Sequence, residues 1–155
     1  MRYIVSKHCG FCSGVKRAVR AAFDNASDNT VTYGQLIHNA LVVNQLAEKG
    51  VRVVTSLDQC AGKKVIVRSH GVGKNFYIEA ERRGIEIIDA TCPYVRKIQQ
   101  IAQSHYKDGF HIVIIGKKGH PEVEGVNGWC DNSATIIDSE DLPEQLHDYE
   151  KLCFV

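Results

Sequence analysis

The chain has 155 residues, 44% of them hydrophobic, 24% charged and 8% aromatic, an ordinary globular composition that supports one large domain or two small lobes. Nineteen Lys and Arg against eighteen Asp and Glu leave a net charge of +1, which excludes the global positive field of a nucleic-acid or anionic-membrane binder. No apolar run reaches about 18 residues and no secretory h-region opens the chain, so the expectation is a cytoplasmic protein that neither crosses nor coats a membrane.

In chain order, residues 3–5 read as a first strand, followed by the turn Gly10-Phe11-Cys12-Ser13-Gly14. A helix follows, with Val15, Ala18, Val19, Ala22 and Phe23 on one face. Residues 31–33 form the next apolar run, then the loop Gln35-Leu36-Ile37-His38-Asn39, then a helix with Val42, Val43, Leu46 and Ala47 on one face. Strand-like runs at 51–54 and 65–67 precede the loop Ser69-His70-Gly71-Val72. A further run at 85–88 leads into Asp89-Ala90-Thr91-Cys92-Pro93 and a helix whose inner face carries Val95, Ile98, Ile101 and Ala102. Residues 110–115 precede Gly119-His120-Pro121-Glu122-Val123-Glu124-Gly125, and short apolar runs at 135–137 and 152–155 complete the chain. Three helices stop at a charged residue plus glycine (Gly50, Gly84, Gly109), the usual left-handed cap before a strand.

Strands alternating with helices predict an α/β fold: two similar small lobes, 1–92 and 93–155, each a mostly parallel sheet with helices on both faces. The last apolar run lacks the loop that should follow a strand, so a truncated second lobe is expected.

In a parallel sheet, ligands bind at the carboxyl ends of the strands. Cys12, His38, His70, Cys92, His120 and Glu122 all sit in strand-end loops that open helices, and their convergence is the main argument for a site. Cys12 and Cys92 fall at helix starts, where free N–H groups favour a thiolate that binds metal or attacks an electrophile. Cys9, Cys60, Cys130 and Cys153 are read as core filling, although Cys9 and Cys12 also spell a Cys-x-x-Cys dithiol. Imidazoles donate hydrogen bonds to phosphate, so His38, His70 and His120 suit an anionic ligand. His8, His105, His111 and His147 are read as structural. Glu122 either relays protons or merely stabilises its helix start. Asp89 and Glu124 are weaker candidates, and Arg68, Lys117 and Lys118 are read as solvated charge.

Gly10-Phe11-Cys12-Ser13-Gly14-Val15, His38-Asn39, Ser69-His70-Gly71-Val72, Asp89-Ala90-Thr91-Cys92-Pro93 and His120-Pro121-Glu122-Val123-Glu124-Gly125 together resemble the LytB/IspH family of 4-hydroxy-3-methylbut-2-enyl diphosphate reductases. The motifs run in order through the whole chain and cover the N-terminal half of such an enzyme. The resemblance implies a three-lobed α/β fold around a [4Fe-4S] cluster, with Cys12 and Cys92 as two of its three cysteine ligands. It implies that His38, His70 and His120 bind the diphosphate of an allylic substrate, that Glu122 supplies protons, and that an external donor such as ferredoxin or flavodoxin supplies electrons. The reaction would give isopentenyl and dimethylallyl diphosphate in the non-mevalonate isoprenoid pathway. The family's third cysteine, a Ser-Asn pair and a threonine-rich segment would follow residue 155. This chain alone is therefore expected to fold without turning substrate over or keeping a stable cluster. Two other readings stay open: a non-catalytic metal- or diphosphate-binding module, and a Cys9/Cys12 thiol–disulfide oxidoreductase.

Overall fold

The computed structural model describes residues 2–7, 9–140 and 142–155. Five α-helices and seven strands alternate along them: α1 (Ser13–Asp24), β1 (Thr30–Tyr33), α2 (Ala40–Glu48), β2 (Arg52–Val54), β3 (Lys64–Val67), α3 (Lys74–Arg82), β4 (Glu86–Asp89), α4 (Pro93–Lys107), β5 (His111–Ile115), α5 (Pro121–Asn127), β6 (Thr135–Ile137) and β7 (Leu152–Phe154). Two short 3₁₀ turns, Leu57–Cys60 and Glu144–Asp148, were not legible in the hydrophobic pattern.

The strands form two sheets in which every pairing is parallel. One has the order β2-β1-β3-β4, the other β6-β5-β7. Parallel strands need helical crossovers, and those helices cover both faces, which is why β3 and β5 read as almost unbroken Val and Ile. Within β3 the period of two sorts the side chains. Ile66 packs on one side with Ala18, Ala22, Leu36, Val42 and Leu46, whereas Val65 and Val67 pack on the other with Val31, Phe76 and Ala80. The second sheet does the same: Ile112 and Ile114 face Ala102, Val123, Val126 and Cys130, while Val113 faces Ile137 and Leu146. Gly50, Gly84 and Gly109 take positive φ of 86°, 64° and 80°, as the helix-stop punctuation required.

One predicted strand is absent. Residues 3–5 form no strand, and Tyr3, Ile4 and Val5 are 83%, 90% and 68% exposed. An apolar run becomes a strand only where its backbone groups find a ladder and its side chains a core; among the described residues this run has neither.

The two sheets meet along a tight seam. The Gly73 and Gly128 backbones approach so closely that a Cβ on Gly128 would lie 2.6 Å from the Gly73 Cα. The Lys74 N–H donates to the Gly128 carbonyl at 3.2 Å, and the Trp129 indole donates to the Val72 carbonyl at 2.9 Å. The Arg96 guanidinium lies over the Tyr77 and Trp129 rings, 5.2 and 5.6 Å from their centroids, and pairs with Asp89.

Candidate functional site

Every loop singled out in the sequence leaves a strand or opens a helix on the same edge, and backbone hydrogen bonds lace several of them together. The Ser69 N–H and hydroxyl both donate to the Leu36 carbonyl at 3.2 Å, joining the His70 loop to the His38 loop. The Ser69 carbonyl in turn accepts from the Cys92 N–H at 2.9 Å. Arg17 donates from α1 to the Thr91 carbonyl, tying the Cys12 helix to the Cys92 loop.

Cys12 is the N-cap of α1 and Cys92 the N-cap of α4, the latter followed by Pro93 at the first helical position. The Cys92 Sγ lies against the first turn of α1, where a Cβ on Gly14 would come within 2.5 Å of it. Cys92 is thus brought to within two residues of Cys12 along α1. Cys12 is exposed and, with Lys7, Cys9, Gly10, Phe11 and Lys16, lines a hollow of about 350 Å³. Cys9 is therefore exposed rather than core filling, because the unpaired N-terminal segment gives it nothing to pack against. Cys60 and Cys130 are fully buried, as expected, and burial pushes both thiols up, Cys130 to about 11. Half-buried Cys153 shifts the same way for the same reason. Among the described residues no group of three or more His, Cys, Asp or Glu is arranged to hold a metal ion. Two soft thiol donors at neighbouring helix starts suit part of an iron–sulfur ligand set.

The three histidines converge. Ring centroids lie 4.7 Å apart for His38 and His70, 5.8 Å for His70 and His120, and 6.1 Å for His38 and His120. His38 is exposed and held by its neighbours: Leu36 and Ile37 are buried, and Asn39 caps α2 by accepting from the Val42 N–H at 3.1 Å. His120 caps α5, its Nδ1 accepting from the Glu122 N–H at 3.3 Å. A backbone amide can only donate, so neutral His120 carries its proton on Nε2. His70 is half-buried; burial, then the neighbouring His38, Arg68 and His120, hold its pKa down at about 4. Arg68 departs from expectation. It is half-buried, its Nε donates to the Gly71 carbonyl at 3.4 Å, and burial pulls its pKa down, so it is a cation packed into the site. Lys117 and Lys118 are exposed, as expected.

The low His70 pKa has a definite consequence for stability. The unfolded imidazole, at about 6.5, binds a proton that the folded one refuses until about pH 4. Stability therefore rises with pH across that window and falls on acidification through it. Urea midpoints measured from pH 4 to 7 should show this slope, reduced in His70→Asn. An equal slope in both proteins would assign it to other groups.

Glu122 is half-buried in the first turn of α5, beside a cavity of about 340 Å³ that it lines with His120, Lys117, Ile114, Val123 and Val155. Neither cysteine nor His38 nor His70 lines that cavity, so among these candidates His120 and Glu122 alone join it to the histidine cluster. Glu124 is exposed and accepts from the Gly119 N–H at 3.2 Å, a loop brace. Asp89 accepts from the Thr91 N–H at 2.9 Å and pairs with Arg96, so its role is to shape the Cys92 loop. His105 bonds the Ile101 carbonyl and His111 the Thr135 hydroxyl, at 3.0 and 2.8 Å, both structural as read. His8 lies outside the described residues.

Reading the motifs one loop at a time missed Arg68 and Gln99. Gln99 is 0% exposed and stands beside Val95 and Ala102 on the buried face of α4; a polar residue inside an apolar stripe was the available signal.

A parallel α/β fold with thiols at two helix starts and imidazoles clustered at the strand ends defines a ligand-binding α/β protein of the kind whose strand-end loops carry its chemistry. The LytB protein family matches residues 3–155, and the chain belongs to that family. It is 46% identical over 162 residues to the 4-hydroxy-3-methylbut-2-enyl diphosphate reductase of Caldanaerobacter subterraneus subsp. tengcongensis, covering all of this chain and 56% of that protein. It is 46% identical over 159 residues to the reductase of the same name from Alkaliphilus oremlandii, covering all of this chain and 57% of that one. A solved structure of (E)-4-hydroxy-3-methyl-but-2-enyl diphosphate reductase, described as the terminal enzyme of the non-mevalonate pathway, superposes with a TM-score of 0.82 at 32% identity, over 97% of this chain and 56% of the other. The Plasmodium falciparum E-1-hydroxy-2-methyl-but-2-enyl-4-diphosphate reductase gives 0.85 at 27% identity, over 96% and 49%. The chain thus spans about half the length of the relatives it matches.

Proposed function

We propose that the protein carrying this chain is a 4-hydroxy-3-methylbut-2-enyl diphosphate reductase. It takes two electrons and two protons, breaks the allylic C–O bond, releases water, and leaves isopentenyl or dimethylallyl diphosphate. The observation that carries this reading is the cluster of His38, His70 and His120 from three separate loops, with ring centroids 4.7–6.1 Å apart. Three imidazoles with the Arg68 charge close to His70 make a polar pocket suited to a diphosphate, and neutral His120 offers its Nε2–H as a donor. Fixing that end of the substrate positions the reacting carbon. Glu122 holds the proton delivered as the hydroxyl leaves, close to His120 and beside an apolar cavity that suits an isoprenoid carbon chain.

In this reading Cys12 and Cys92 would be two of the cysteines that hold a [4Fe-4S] cluster, which when bound would supply electrons and Lewis acidity. The two helices they cap carry exposed Lys16, Arg17, Arg20 and Lys97, a surface suited to an acidic electron donor such as ferredoxin or flavodoxin. The lobe boundary falls at Cys92–Pro93, which the two separate sheets support. No described helix is long and apolar enough to cross a membrane. In this reading the reaction runs in the cytoplasm.

The test is reductant-driven turnover of the allylic diphosphate by the intact protein after anaerobic reconstitution with iron and sulfide. Product at stoichiometric iron is expected; a fully loaded protein that releases none refutes the reading. The dithiol reading draws on Cys9 and Cys12 lining one hollow, and disulfide exchange in metal-free protein would favour it. The Gly14 contact adds a milder prediction. A Cβ 2.5 Å from the Cys92 Sγ must displace it, so Gly14→Ala should lower iron per chain although alanine favours the helix by about 1 kcal/mol. Wild-type iron content in that variant would show that the contact does not position the thiol.

A further inference from the structure

A carboxamide sealed in a helix–sheet core without partners is out of place, since Met or Leu would fill the same space at no polar cost. Gln99 is such a group: it is 0% exposed, and neither its Nε2 nor its Oε1 has a hydrogen-bond partner among the described residues. Its position is informative. A Cβ on Gly71 would lie 2.4 Å from the Gln99 Nε2 and 3.0 Å from the Thr91 Cγ2, and one on Gly125 would lie 3.5 Å from Nε2 and 3.3 Å from the His70 carbonyl. The carboxamide therefore lies where the His70 loop, the Cys92 loop and α5 meet. Gly71, with φ of +70°, and Gly125 leave it room.

Two other buried atoms lack partners on the loops that meet there, the His70 Nδ1 and the Thr91 Oγ1. The donor and acceptor chemistry allows one economical chain. The Thr91 hydroxyl donates to the carboxamide oxygen, and the carboxamide nitrogen, which can only donate, donates to the His70 Nδ1. Closing the link would take a side-chain rotation or one bridging water. All four orphaned atoms are then satisfied. We propose that Gln99 is a positioning residue that fixes His70 as the Nε2–H tautomer, giving it a donor aimed at the ligand. Gln99 would do for His70 what the Glu122 N–H does for the His120 Nδ1. The inference rests on the diphosphate reading, because only an anionic ligand rewards a neutral imidazole for presenting N–H; burial keeps His70 neutral at pH 7.

The experiment uses ¹⁵N-histidine-labelled intact protein, with long-range ¹H–¹⁵N spectra at pH 7 and inorganic pyrophosphate as the probe. Wild type should show His70 protonated on Nε2 only. Gln99→Met, which keeps volume without a donor, should give a tautomer mixture and bind pyrophosphate about tenfold more weakly. Gln99→Glu, of the same shape but accepting when ionised, should move the proton to Nδ1; it decides the matter if the Met variant fails to fold. An Nδ1-protonated His70 in wild type, or a His70 pattern unchanged in both variants, overturns the proposal. If wild type binds no pyrophosphate, the diphosphate reading falls instead, and the tautomer spectra of the unliganded proteins still decide the role of Gln99.

Discussion

Serine at Cys92 should leave the intact protein unable to hold a full complement of iron, and turnover should vanish with it. A hydroxyl is a hard, weakly acidic ligand that does not replace a thiolate on iron. Cys92 also sits where the two sealed thiols cannot take over: its Sγ is wedged against Gly14, and Cys60 and Cys130 are buried in separate cores with their thiols pushed up by burial. Cys12→Ser should act the same way, whereas Cys60→Ser should keep its iron and lose only packing. Iron, sulfide and visible absorption after anaerobic reconstitution report the outcome. Full occupancy in both ligand variants would remove Cys12 and Cys92 from the site.

Glu122→Gln should lower turnover by about 10²–10⁴-fold with iron content unchanged. The amide keeps the shape of the carboxyl and leaves intact the backbone N–H on which His120 depends, because that bond belongs to residue 122 whatever its side chain. A diphosphate-binding defect is therefore not expected, and the loss should fall on kcat rather than KM. An unchanged kcat would mean that protons reach the leaving oxygen by another route.

The pattern of hydrophobic residues carried most of the architecture, because parallel strands buried on both faces and helices with one apolar face leave unmistakable periods in Val, Ile and Ala. It misled at residues 3–5, where an apolar run is necessary for a strand but not sufficient without a partner. The strand-end logic picked out His38, His70 and His120, whose rings lie together, since each stands in the loop that follows a strand. Arg68 and Gln99 escaped because their roles depend on what crosses over from elsewhere. Arg68 looks like any surface cation until the Gly34 turn, where a Cβ would lie 2.4 Å from its Nη1, is folded onto it. Gln99 gains meaning only when Gly71 and Gly125 arrive on top of it. Long-range approach leaves at most one residue out of pattern in a sequence, as the polar Gln99 is within its apolar stripe.

The contact between Gly73 and Gly128 bears on how the pocket adapts to its ligand. With the Gly73 and Gly128 backbones already in contact, and Trp129 bonded to the Val72 carbonyl, the start of α3 and the end of α5 are closely packed along that line. His70 and His120, rooted on opposite sides of it, stand 5.8 Å apart with that packed line between their loops. In the diphosphate reading, a headgroup that does not match that spacing is met by rotation of the imidazoles rather than by movement of the loops that carry them.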